Sequence, residues 1–209
     1  MKYDPLDMLL NDERITENEW SALAKALDVK PINNNNRLKK AEIINEELRH
    51  SFGHTVANIS RSIYEPDYMD PILKEVVKFC KLEGLPIRCT AEVIEEALYN
   101  KITSAYKNAH PVEWKHCKYN ESDYFSKLID IGKNQKSLLS IVGDVAIGGV
   151  TGFGIISAIS KKINPVAAVV APVNTLFFDT NWRKVIPAIL IVSVIRKRLK
   201  LCDVLNCKR

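Results

Sequence analysis

Between Leu138 and Ile195 this chain carries only six charged residues: Asp144, Lys161, Lys162, Asp179, Arg183 and Lys184. A stretch so poor in charge has to be covered by protein or by lipid, and that requirement limits what the chain can become. Five of the eight glycines fall inside it, in the run GDVAIGGVTGFGIISAIS from Gly143 to Ser160. Leu138 to Ser160 is 23 residues, and a membrane crossing needs about 20, so length permits a span. Chemistry opposes it. Asp144 in hydrocarbon costs roughly 2.5–3.5 kcal/mol, and the glycines weaken both helix propensity and hydrophobicity. The next apolar stretch, Ile163 to Phe178, holds Asn164, Pro165, Pro172 and Asn174, and the last, VIPAILIVSVI, is 11 residues long. A protein that crosses a bilayer repeatedly is not expected.

Helical spacing adds a finer feature. Ser140, Asp144, Gly148 and Gly152 follow one another at intervals of four and share one face. Gly148 and Gly152 form a GxxxG step, and Gly154 and Ala158 form another pair of small residues at the same spacing. Such a stripe lets a second helix approach closely, in a bilayer or in a dry core. The expectation is a buried central helix or hairpin, with reversible membrane insertion and a fixed anchor as the alternatives. Asp144 needs a counter-charge in either setting. Arg183 and Lys184 are the nearest downstream cations if the chain folds back on itself.

With 46% apolar and 26% charged residues the chain is globular in composition, but its charge is unevenly spread. From Ser137 onward ten Lys/Arg face three aspartates (Asp144, Asp179, Asp203), while the first 136 residues hold 20 basic and 22 acidic side chains. Cationic side chains beside apolar sequence suit a hydrophobic protein partner or an anionic membrane surface, and not nucleic acid. The five cysteines show no CxxC spacing and read as free thiols of a reducing compartment. The N-terminus offers no uninterrupted apolar stretch of the kind a secretory signal needs. A cytoplasmic protein is expected, peripheral at most at the inner face of the membrane.

The remainder reads as helices. In ITENEWSALAKALDV a capping box, Thr16 with Glu19, precedes Trp20, Leu23, Ala24 and Leu27 at helical spacing. Pro31 and four asparagines break the pattern, and a new one starts at Arg37 with Leu38, Ile43, Ile44, Leu48, Phe52, Val56 and Ile59. Asp70 and Pro71 would open a further helix that Gly84 would stop, and Thr90 would open another carrying Val93, Ile94, Leu98, Ile102 and Tyr106. From Pro111 one or two short helices follow. The fold expected is all-α, a multi-helix bundle with a hydrophobic, glycine-rich C-terminal helical hairpin. Its parts are a small helical module (1–30), a linker (31–36), a central bundle (37–136) and a hydrophobic helical region with a basic tail (137–209).

Chemistry-bearing motifs are sparse. His50 and His54 stand at i and i+4 and would share a metal only with a third ligand such as His110 or His116. GGVTGFG lacks the Lys-Ser/Thr of a phosphate loop. No catalytic triad assembles, and no cofactor is expected. The segment RKVIPAILIVSVIRKRLK reads as an interfacial or core helix with cations at both ends.

Three blocks carry a resemblance. EELRHSFGHTVANISR (Glu46 to Arg61) resembles the ELxHFGGxxxxN-type signature of the YaaW-like bacterial proteins, with Gly53-His54 where that pattern has Gly-Gly. TAEVIEEAL (Thr90 to Leu98) and RKVIPAILIVSVIRKR (Arg183 to Arg198) look like two further blocks of the same family. The family is grouped distantly with ubiquinol–cytochrome c chaperones, helical proteins that assist a membrane subunit. The resemblance implies a non-enzymatic chaperone-like or interaction protein at or near the cytoplasmic membrane, and it supplies no catalytic residues. Glu47, His50, Gly53 and Asn58 would then be packing or partner surface. Asp144, Gly148, Gly152, Arg183 and Lys184 would serve helix packing or insertion. A membrane-active toxin with an inserting hairpin is the alternative, and a metal enzyme using His50 and His54 stands third.

Overall fold

The computed structural model describes residues 5–30, 36–52, 72–86, 89–134 and 181–206, and all regular structure among them is helical. The elements in order are α1 (Pro5–Leu10), α2 (Glu17–Ala26), α3 (Arg37–Phe52), α4 (Lys74–Phe79), α5 (Ala91–Ala109), α6 (Pro111–Cys117), α7 (Glu121–Lys133) and α8 (Trp182–Asn206). The all-α bundle expected from the sequence is the architecture found.

α8 is the axis of the bundle. It packs most extensively on α7 and also lies against α2, α5 and α3. Every residue from Val185 to Ser193 is buried, so the helix is covered on all sides over those two and a half turns. This is the physical answer to VIPAILIVSVI: a helix apolar all round needs protein all round. Of the two alternatives, interfacial or core, α8 takes the core. Among the described residues no helix is long and apolar enough to cross a membrane.

Helices from the N-terminal module, the middle of the chain and the tail share one core. Leu6, Leu23, Ile44, Leu98, Leu128 and Ile189 all belong to it. The approach of α7 to α8 is unusually close: a Cβ built on Gly132 would lie 2.8 Å from both Cα and Cβ of Pro187. Pro187 has no N–H to return to the Arg183 carbonyl, and its ring rests on the one α7 position without a side chain.

The helix ends follow local chemistry. At α2 the Thr16 hydroxyl accepts from the Glu19 N–H, and the Glu19 carboxylate accepts from the Thr16 N–H at 2.8 Å, completing the box. Both α2 and α4 end in Schellman turns. The Val29 N–H bonds the Ala24 carbonyl at 2.9 Å, and the Leu82 N–H bonds the Val77 carbonyl at 3.0 Å. The left-handed positions are occupied by Asp28 (φ 56°) and Lys81 (φ 46°), not by glycine. The second case corrects the expectation that Gly84 stops this helix. The helix is already closed at Cys80, and Gly84 takes its own positive φ of 71° in the loop beyond.

Each Schellman turn receives a lysine from a neighbouring helix. Lys101 of α5 donates to the Cys80 and Lys81 carbonyls at 2.8 and 2.9 Å. Lys133 of α7 donates to the Lys25 carbonyl at 3.1 Å and to Asp28 Oδ1 at 2.5 Å. A cation at the negative end of a helix satisfies carbonyls that the helix leaves over.

Candidate functional site

Two arginines that follow the apolar stretch of α8, Arg196 and Arg198, turn toward neighbouring helices. Arg196 forms a two-pronged fork on Glu95 of α5, with Nε to Oε2 at 2.7 Å and Nη2 to Oε1 at 3.0 Å. The Glu95 side chain is 1% exposed. Arg198 forms a second fork on Glu19 of α2, at 2.6 and 2.7 Å, and also donates to the Arg14 carbonyl at 2.8 Å. Glu19 is fully buried. Two residues apart on a helix means about 200° of rotation, so the two arginines grip opposite neighbours and α8 is clamped between α5 and α2. Only a guanidinium presents paired donors in the geometry of a carboxylate.

Less buried pairs extend the collar. Lys197 pairs with Glu96 at 3.0 Å and lies 4.5 Å from the centre of the Tyr99 ring. Lys200 pairs with Glu92. At the other end of α8, Lys184 pairs with Glu47 of α3 at 2.8 Å. The surplus of positive charge in the tail and the small deficit ahead of it thus meet inside one molecule.

That last pair joins two residues singled out in the sequence, one from each group. Glu47 is half-buried on α3 and accepts from Lys184. Nearby, the backbone N–H of Asn181 donates to the Ser51 carbonyl at 2.7 Å, which ties the end of α3 to the start of α8. Trp182 stacks on Phe79 at the same junction, with ring centres 4.1 Å apart. His50 is exposed in the last turn of α3, and Arg183 is exposed in the first turn of α8. Gly53, His54, Asn58, Asp144, Gly148 and Gly152 lie outside the described residues. Lys184, one of the cations offered to Asp144, is engaged by Glu47. Among the described residues no three His, Cys, Asp or Glu side chains converge to hold a metal.

A second cluster of titratable groups sits where α5, α6 and α7 meet. The Tyr106 hydroxyl donates to Glu113 Oε2 at 2.7 Å, and Lys127 approaches the same oxygen at 3.5 Å. The Tyr106 hydrogen bond, aided by Lys127, holds the Glu113 carboxyl below its ordinary range. His110 stacks on Tyr106 with ring centres 4.7 Å apart, and Trp114 meets Tyr106 and Tyr124 edge-on. Burial, then the hydrogen bond with Tyr99, pushes the Tyr124 phenol upward. This arrangement locks a joint between helices.

Sequence reasoning missed Glu95, Arg196 and Gly132. A signal for Glu95 was available: it stands on the same helical stripe as Ala91, Ile94, Leu98 and Ile102, and a carboxylate on a buried stripe demands a cation. The chain matches no family model, no curated protein and no solved structure.

Proposed function

We propose that this chain is a non-enzymatic, chaperone-like interaction protein that acts at or near the cytoplasmic membrane and receives a hydrophobic protein segment or lipid through residues 138–178. The resemblance to the YaaW-like proteins belongs to the same reading. The observation that supports it is the commitment of α8. Its apolar stretch Val185–Ser193 is covered by protein, and five of the helix's cations, Lys184, Arg196, Lys197, Arg198 and Lys200, are paired with carboxylates of the chain's own first hundred residues. The rest of the charge-poor sequence is 138–178, with Asp144, Lys161 and Lys162 as its charged residues. A hydrophobic ligand would be met there, since apolar area is the driving force such a ligand offers.

The test is to dilute a synthetic Leu/Ala-rich membrane-spanning peptide out of detergent in the presence of the full chain. Light scattering of the peptide should be suppressed at equimolar protein, and the suppression should be lost in Val150→Asp/Ile156→Asp. Equal suppression by both proteins would end the reading. Release of a trapped dye from liposomes by the wild-type chain would replace it with the toxin.

A further inference from the structure

α6 is a short helix with two unlike sides. Trp114 and Cys117 face inward and are 5% and 7% exposed. Val112, Lys115 and His116, at i, i+3 and i+4, share the outer side and are exposed. Tyr119, in the turn that closes the helix, continues that side, with its ring centre 6.4 Å from that of His116. Val112 is 67% exposed and Tyr119 76%, the highest value among the large hydrophobic side chains of the described residues. Lys118, one turn after Trp114, borders the patch on its flank, its ammonium 5.2 Å from the centre of the Trp114 ring.

The lysines of this face are not held in ion pairs among the described residues. The carboxylate of α6, Glu113, is taken up by Tyr106 and Lys127 on the flank. The next carboxylates, Glu121 and Asp123, stand in the first turn of α7, where Glu121 accepts from Asn18 at 2.9 Å. Among the described residues no carboxylate pairs with Lys115 or Lys118, whereas five cations of α8 are paired with carboxylates. The shape matters as much as the charge. The face is the convex outside of a helix, whereas an extended or helical peptide needs a groove or a sheet edge. A depression of ≈ 300 Å³ lined by Lys81, Leu82, Glu83, Ala97 and Lys101 lies away from this face.

We infer that the outer side of α6, with Val112, Lys115, His116 and Tyr119 and with Lys118 at its edge, is a docking face for an anionic lipid bilayer surface. The lysines supply attraction to the headgroups. Tyr119 brings an apolar ring with a polar tip, the side-chain type that settles at the boundary of lipid and water. Val112 adds aliphatic area at the other end of the face. A nucleic acid would leave Val112 without a role, and two lysines neutralise few phosphates. The inference goes beyond the proposed function and uses none of residues 138–178.

It is tested by flotation of the full chain with phosphatidylcholine vesicles with and without phosphatidylglycerol. Each lysine near an anionic surface is worth ~1 kcal/mol, so Lys115→Gln/Lys118→Gln should partition about 30-fold less onto anionic vesicles. Val112→Ser/Tyr119→Ser should also lose binding. All four side chains are solvent-facing or, for Lys118, laid over a ring, so both variants should keep the wild-type circular dichroism and thermal midpoint. Val150→Asp/Ile156→Asp should retain the dependence on the two lysines, which separates failure of this face from failure of 138–178. Wild-type partition by both α6 variants overturns the inference. So does lysine-dependent binding of a single-stranded RNA oligonucleotide without binding of vesicles.

Discussion

Replacing Gly132 by alanine sets two effects of opposite sign against each other. In an open helix the change stabilises by about 1 kcal/mol, because alanine loses less backbone freedom on folding. Here the new Cβ would sit 2.8 Å from Pro187 Cα, 2.8 Å from Pro187 Cβ and 2.9 Å from Pro187 N. Carbon atoms in contact prefer about 3.5–4.0 Å, so the two helices would have to part by most of an ångström. The obstructing atoms are backbone and a closed ring, which cannot rotate aside. They also belong to the stretch of α8 buried on every side, so any retreat presses on α2, α3 or α5. Overpacking of this kind costs about 1–3 kcal/mol, and the rigidity of the site argues for the upper end. The net expectation is a loss of about 2 kcal/mol, or a thermal midpoint roughly 4–8 °C lower for a chain of this size. Urea unfolding followed at 222 nm should give a lower midpoint with an unchanged slope. A gain of stability would refute the close contact of α7 with α8, and with it the account of why Pro187 is tolerated.

Other consequences can be checked one substitution at a time. Glu95→Ala takes the fork from a largely buried guanidinium, which retains Glu92 Oε1 at 3.8 Å, and should cost about 3 kcal/mol, whereas Glu95→Met/Arg196→Met, which removes both charges, should recover most of it. Equal losses for the two proteins would show that the fork does not govern the site. Lys81→Gly relieves a left-handed residue of about 1–2 kcal/mol of strain and returns part of that as unfolded-state entropy, so the unfolding midpoint should rise by the equivalent of about 0.5–1 kcal/mol; an unchanged or lower midpoint contradicts the Schellman assignment. Burial pushes the Cys80 thiol up to about 12, with Lys101 pulling weakly the other way. Its folded pKa is raised above the unfolded value, so its contribution is intact below pH ~9 and is lost as pH climbs from there toward 12. Stability measured from pH 8 to 11 should therefore fall less steeply in Cys80→Ala, and iodoacetamide should label Cys89 and Cys202 of the native protein well before Cys80.

What could be read from the sequence was what depends on neighbours along the chain. The Thr16–Glu19 box, Pro111 at the first position of α6 and the stripe Ile94–Leu98–Ile102 are all set within a turn or two of helix, and each stands as read. The six residues of α1 are too few to display a period, although Leu6 and Leu10 are almost fully buried. Gly84 was the expected helix stop because glycine is the cheapest residue at positive φ. The chain instead spends lysine at that position, and the cost is offset by the cap from Lys101, 20 residues further on. Gly132 against Pro187, Glu95 against Arg196 and Glu19 against Arg198 are separated by 55, 101 and 179 positions. One chain read alone offers no way to pair residues at such distances. Of the residues set aside as a functional group, Glu47 and Lys184 are brought together, and no property of either block announced that they would meet.

The same gap explains why hydropathy could not place α8. An apolar stretch of 11 residues bracketed by Arg-Lys and Arg-Lys-Arg has the composition of a membrane-surface helix and of a core helix alike. The difference lies in where the counter-charges are. At a membrane they belong to lipid headgroups and the cations stay independent of one another. In this chain they are Glu19, Glu47, Glu92, Glu95 and Glu96, fixed on three helices, and two of the arginines are held in forks that lipid phosphates would have to break. Breaking either fork would leave a carboxylate that is 0% or 1% exposed without its cation, a cost of several kcal/mol against the ~1 kcal/mol that each cation would gain at an anionic surface. α8 therefore stays in the core while its forks are intact. Any engagement of a membrane by this protein has to run through parts of the chain whose charges are not already spoken for.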